Sequence, residues 1–329
     1  MRLPPAIHAM GWLVRDTFRQ ALASRIFWVM LGISALAILF CLSVDVKGPR
    51  TLQPDEEIEL YGGDEKPLAG PNPNPGRMTL AFGAVPFKLF RGSQAAVHFL
   101  EVLLAMWVAG AAGTMLALVW TAGFMPEFLQ PSAASVLLAK PVPRWSLLLG
   151  KYFGVLVFLA CQVILFVGGT WLALSWRTGI WLPGYLWSIP ILLLHFAIIY
   201  SASVMLATYT RSTVTCIFGS IMIWLISFGA NYARHATVAR SILAPGAPSS
   251  PRSFRMLVEA IYWILPKPAD LVILLNKALQ SREHFTTVAE FDAMQRLHGF
   301  HPGLSVASSI LFTVVMLIIA VRQLQTTDY

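Results

Sequence analysis

Residues 124–154, FMPEFLQPSAASVLLAKPVPRWSLLLGKYFG, join two long apolar segments. They hold a proline-punctuated amphipathic piece, a Lys-Pro-x-Pro-Arg turn and a Gly-Lys-Tyr lead into the next helix. A connection this ordered in composition, at a membrane edge, predicts a docking surface. Pro126 can open a short helix with Glu127, Phe128 and Leu129 in its first turn. Phe128 and Leu129 would then be exposed apolar side chains able to fill a partner's groove. Lys140 and Arg144 bracket Pro141 and Pro143 at the headgroup level, and Lys151 is expected to snorkel from the helix that follows. A lipid-anchored re-entry turn without a partner fits the same residues equally well.

The chain around this stretch is apolar. Hydrophobic residues make up 57% of the sequence and charged residues 12%, with a mean hydropathy of +0.66; soluble domains carry about 25% charge. Several runs exceed the roughly 18 residues needed to cross ~30 Å of hydrocarbon. The expected fold is an all-α polytopic membrane protein with six spans, at about 26–44, 98–120, 152–176, 186–209, 213–231 and 304–321. The 121–151 loop then lies on one side, and the long loops 45–97 and 232–303 on the other.

Before the first span, Ile7, Met10, Val14, Phe18 and Ala21 recur at helical spacing opposite Arg15, Asp16, Arg19 and Gln20. Residues 1–25 are thus predicted to form an interfacial amphipathic helix, apolar face down; a polar lead-in helix is the plainer alternative. Arginines precede the first apolar run and no small-x-small site follows it, so that span is expected to be retained rather than cleaved. In the 45–97 loop, GPNPNPG excludes helix and central strand. Further on, Met78, Leu80 and Phe82 alternate with Thr79 and Ala81, and Val85-Pro86 precedes Phe87-Lys88-Leu89, which predicts a short β-ribbon. In the 232–303 loop, MLVEAIYWIL and ADLVILLNKAL are two apolar helices too short to span, parted by Pro266-Lys267-Pro268. They are expected to rest at, or dip into, one face of the membrane, followed by a soluble amphipathic helix over 281–300.

Six spans put both termini on the side of the 121–151 loop, which carries nine Lys/Arg against three Asp/Glu. The other side carries fifteen against twelve, almost all in long loops, where the positive-inside rule has little force. The short segments therefore predict cytoplasmic termini in the inner membrane of a prokaryote. The net charge of +8 suits anionic lipid headgroups, and no basic-aromatic stripe points to nucleic acid.

Catalytic signatures are missing from the sequence. Gly150-Lys151 is followed by Tyr152, and Trp145 stands where a Walker A motif has its first glycine. HExxH, GxSxG and paired intramembrane aspartates do not occur, so the chain is not expected to hydrolyse ATP. Cys41, Cys161 and Cys216 fall inside spans with no metal or disulfide spacing. Glu101, with His98 one turn before it, could form a proton- or cation-binding pair. The plainer reading sets both in the first turn of the second span, where the helix N-terminus favours an anion and headgroup water is near. His195 is expected to make an interhelical hydrogen bond, and Ala109 and Gly113 have the small-xxx-small spacing of close helix packing. Trp145, Trp171, Trp176, Trp181 and Trp187 fall at span ends as an aromatic belt would.

Four stretches together resemble the ABC type-2 transporter permeases, the membrane subunits of ATP-binding-cassette exporters. RDTFRQALASRIFWVML is similar to that family's interfacial helix and first span, and LLAKPVPRWSLLLGKYFG to its Leu-Leu-x-x-Pro-x-x-Arg-x-x-x-x-x-Gly-Lys stretch. LPKPADL and the terminal VRQLQTTDY add weaker support. The resemblance implies a permease working by alternating access over residues 26–329. It would act as a homodimer or beside a sister permease, with ATP and Mg²⁺ used by a separate ABC ATPase and no cofactor of its own. It also implies a coupling helix around Pro126–Leu129. The long outer loops and the TTDY ending, less basic than the family pattern implies, depart from that pattern; they leave cargo and subfamily open and admit an extracytoplasmic partner. The rival class is a membrane-embedded enzyme or assembly factor using Glu101, His98 and the outer loops. A secondary transporter is disfavoured by the lack of inverted half-helices and buried charges.

Overall fold

The structure, a computed structural model, describes residues 5–48, 77–88, 93–130, 143–243, 251–280 and 300–326. Helix α1 (Pro5–Ala23) stops at Ser24, whose extended backbone and hydroxyl cap α2 (Arg25–Leu42) by accepting from the Ile26 N–H at 3.3 Å. Three short antiparallel strands follow in the order β1 (Asp45–Lys47), β2 (Arg77–Leu80) and β3 (Val85–Lys88). The β2–β3 hairpin is the ribbon expected from the alternation, with Pro86 opposite Thr79 on the edge strand. β1 adds a third strand, with Asp45 facing Thr79.

The second span is compound. It runs from α3 (Ser93–Leu103) through a π-helical segment, Leu104–Gly113, into α4 (Thr114–Thr121) and the short α5 (Phe124–Phe128). A Cβ at Gly110 would lie 2.9 Å from the Ala105 carbonyl oxygen, so glycine is what lets this wide turn close. The third span, α6 (Arg144–Thr178), starts behind Pro143 and ends at Gly179, which takes the left-handed φ of 70° common after a helix. A 3₁₀ turn, Pro183–Trp187, leads to α7 (Ser188–Thr210), followed by α8 (Thr213–Leu243), α9 (Arg252–Ile264), α10 (Pro268–Ala278) and α11 (Pro302–Thr326).

Among the described residues, six helical segments are long and apolar enough to cross a membrane: Arg25–Leu42, Ser93–Phe128, Arg144–Thr178, Pro183–Thr210, Thr213–Arg240 and Pro302–Thr326. The chain is an all-α polytopic membrane protein, as its hydropathy predicts. Several boundaries move. The second span begins at Ser93, the third takes in residues 144–151 that were expected in the loop, and the fifth helix continues past 231 to Leu243. The helix pair around Pro266-Lys267-Pro268 is present as α9 and α10; the helix expected over 281–300 falls almost wholly outside the described residues.

The α7 segment is the central post, with 56% of its apolar window buried. Tyr200 stacks between Tyr152 and Phe196, at 5.7 and 5.3 Å between ring centroids, and the Tyr152 hydroxyl donates to the Ala197 carbonyl at 2.9 Å. The six passes alternate in direction. One end, called the near end, holds α1, α5, the α7–α8 turn and the end of α11; the far end holds the sheet, α9 and α10. The Arg144 guanidinium donates to the Leu324 and Gln325 carbonyls at 3.0 and 3.4 Å, tying the start of α6 to the last turn of α11.

Helix α1 was expected to lay its apolar face on lipid. Instead it packs along α6: Leu13, Thr17 and Ala21 are buried, and the Phe18 ring meets Phe158 edge-on at 5.1 Å. The approach is close enough that a Cβ on Gly154 would sit 2.8 Å from the Thr17 Oγ1 and 3.3 Å from the Val14 Cα. In contrast, Gly168 of the same helix has nothing within 4 Å of that position. Gly154→Ala should therefore lower the thermal unfolding temperature in detergent, with an overpacking cost of about 1–3 kcal/mol. Gly168→Ala should raise it, alanine being better than glycine in a helix by roughly 1 kcal/mol. Equal shifts in the two variants would contradict the close α1–α6 contact.

Candidate functional site

At the near end, Lys151 lies two turns into α6 and is 2% exposed. Its ammonium donates to the Gln20 Oε1 at 2.6 Å, and the same amide donates through Nε2 to the Glu127 Oε2 at 2.8 Å. The Asp16 carboxylate is 3.9 Å from the ammonium, and the Phe124 ring centroid 5.7 Å. One glutamine thus joins α1, α5 and α6, and two acidic groups balance one buried cation. A buried ammonium without such partners costs several kcal/mol. Lys151 therefore does not snorkel; helices α1 and α5 close over it.

The sequence reading of α5 needs a related correction. A short helix forms there, but Pro126 and Leu129 are buried and Phe128 is half-buried against the aromatic cluster of Phe27, Trp120, Phe124 and Phe158. Glu127 and Gln130 form the exposed side. Arg144 caps α11, where a guanidinium meets the negative end of a helix. Lys140 and Pro141 lie outside the described residues.

The far end is held by a cluster that sequence reasoning missed. Asp270, in the first turn of α10, is 1% exposed. It shares hydrogen bonds with the His235 Nε2 of α8 at 2.7 Å, the Tyr262 hydroxyl of α9 at 2.6 Å and the Ser305 hydroxyl of α11 at 2.5 Å. Lys267, buried in the Pro-Lys-Pro turn, donates to the Ser308 Oγ at 2.6 Å and lies 4.5 and 4.7 Å from the Tyr262 and Trp263 ring centroids. Arg234 lies 4.1 Å from the Tyr262 ring centroid and pairs with Glu259 at 2.9 Å. Asn231 donates to the Pro266 carbonyl and accepts from the Ala269 N–H, satisfying two backbone groups at the turn. Asn231 is about 27 Å up α8 from Thr213, so the turn dips back toward the bilayer rather than standing off in water.

Burial alone would raise the Asp270 carboxyl, but the hydrogen bonds from His235, Ser305 and Tyr262 and the charge of His235 hold it below the usual range. Burial pushes the Lys267 ammonium down to about 8.

The remaining expected site residues stay apart from both clusters. The His98 Nδ1 and Glu101 Oε2 are 4.0 Å apart, and both side chains are buried. Because α3 starts at Ser93, they sit beyond the first turn, and the helix N-terminus does not account for Glu101. Neither Glu101 oxygen has a hydrogen bond among the described residues. His195 lines a small void between α7, α8 and the Pro-Lys-Pro turn. The described residues hold no group of three or more His, Cys, Asp and Glu placed to bind a metal.

No protein-family model matches the chain, and no curated protein is similar to it.

Asp270→Ala would leave His235, Tyr262 and Ser305 without the carboxylate they share. It should destabilise the detergent-solubilised protein by about 3–5 kcal/mol, read as loss of the folded peak on heating followed by size exclusion. An unchanged melting curve would remove Asp270 from its structural role. An ammonium whose pKa is lowered by folding binds fewer protons than in the unfolded chain, so from about 8 towards the unfolded value of 10.5 its contribution to stability rises with pH. Wild type should gain thermal stability relative to Lys267→Met as pH goes from 8 to 10; a pH-independent difference would show that Lys267 titrates normally.

Proposed function

We propose that the chain is the membrane-spanning subunit of an ATP-driven permease of the ABC type-2 kind, moving cargo by alternating access. ATP and Mg²⁺ are used by a separate ABC ATPase docked at the near end, which is the cytoplasmic end in this reading. A second copy or a sister permease completes the pathway. The observation that carries the proposal is the near-end block: Gln20 links α1, α5 and α6 around the Lys151 ammonium. A push on α5 therefore reaches the third span directly rather than dissipating in a loop.

The contact surface differs from the one the bare sequence suggests. Glu127 and Gln130 are exposed, together with Arg15, Asp16 and Arg19 of α1, while Phe128 and Leu129 serve the bundle. Docking is therefore polar, by α5 and α1 together. Sequence resemblance and the six-span architecture support the same reading.

Reversing an exposed charge that takes no part in enclosing Lys151 tests it without disturbing the core. Arg19→Glu, on the exposed side of α1 and outside the Lys151 cluster, should weaken ATPase association about tenfold, which corresponds to roughly 1.4 kcal/mol. It should also lower ATP turnover by the reconstituted pair, while insertion and melting temperature change little. Undiminished association and turnover would move the motor site elsewhere.

A further inference from the structure

Between α2 and the second span lies a cavity of about 110 Å³. The two helices meet at the near end, where the Trp120 Nε1 donates to the Ser24 Oγ at 2.8 Å and the Phe27 and Trp120 rings approach to 6.4 Å. Halfway along they part. The π-helical segment forms one wall through Val108, Ala109, Ala112 and Gly113, Met30 and Ile33 of α2 form another, and α6 closes the back. Ile33 and Ala112 are exposed at the rim, so the cavity opens sideways at the depth of the hydrocarbon core.

Its lining is apolar apart from Ser34, Thr114 and Gln162. Gln162, 7% exposed, donates its Nε2 to the Ser34 Oγ at 2.9 Å, and Ser34 donates onward to the Met30 carbonyl at 3.0 Å. Ala109 and Gly113, which have the spacing of a close helix contact, leave their partner's place empty here. Apolar cavities of about 150 Å³ stay dry and bind a benzene-sized hydrocarbon.

We infer that this cavity is a binding site for the hydrocarbon chain of a membrane amphiphile, entering from the bilayer between α2 and the second span. The medium at the rim of a spanning bundle is lipid tail, the walls offer it dispersion contacts, and water finds few polar groups among the lining residues. The inference does not rest on the transport reading; the cavity would bind a chain whatever drives the protein.

The probe is a palmitic acid carrying a mid-chain diazirine, incorporated at low fraction into phosphatidylcholine–phosphatidylglycerol nanodiscs with the full-length protein. After irradiation, adducts are mapped by peptide mass spectrometry. Labelling should concentrate on Met30, Ile33 and the 108–117 segment, and excess unlabelled palmitate should remove it. Ala109→Phe, which fills the cavity, should lose the cavity label while keeping adducts on lipid-facing Phe218 and Leu225 of α8. Should Ala109→Phe fail to fold, Ala112→Phe at the exposed rim decides the question in the same way. Label spread evenly over the exposed faces, or cavity label unchanged in the folded variants, would overturn the site.

Discussion

A single ammonium, that of Lys151, constrains how the near end is built. A cation two turns inside a spanning helix must either reach headgroup water or be enclosed with counter-charge, and this chain encloses it. Enclosure requires α1 to cross α6 beside Gly154, because only there can Asp16 and Gln20 reach the ammonium. It requires α5 to fold back so that Glu127 meets the same glutamine. The break at Ser24 and its bond to Trp120 then fix where α2 leaves α1. Elements distant in sequence become one block because a charge would otherwise be stranded.

The far end solves the same problem with the signs exchanged. There a carboxylate, Asp270, is central, and the spans supply its donors: His235 from the fifth and Ser305 from the sixth. The α9–α10 pair is thereby bound to two helices that move together or not at all. Between these polar clusters the bundle is held by aromatic stacking on α7 and by dispersion. The second span is weakest there, where the π-helical segment replaces regular packing.

What the sequence reveals depends on whether the signal is local. Runs of apolar residues reveal six spans because length and hydropathy are properties of each segment. Pro266-Lys267-Pro268 and the Met78–Phe82 alternation likewise mark their elements directly. The burial of Lys151 is not local: snorkelling and enclosure give the same hydropathy profile, and the partner Gln20 is 131 positions away. His235 and Asp270, 35 positions apart, carry no motif spacing that would pair them. The α8 helix outlasts its apolar run because Arg234 and His235 are anchored by α9 and α10, and tertiary contact of that kind overrides a polar composition. Phe128 and Leu129 look like a docking pair only while the aromatic cluster that covers them is out of sight.

The account stands on the near-end block being the seat of a motor. Purification of the tagged chain from its own cells in mild detergent tests that most directly, by identifying and counting what co-elutes. The account predicts an ABC ATPase in about equal stoichiometry with the chain. A chain that emerges alone, with no ATPase even after crosslinking in the intact membrane, would contradict it.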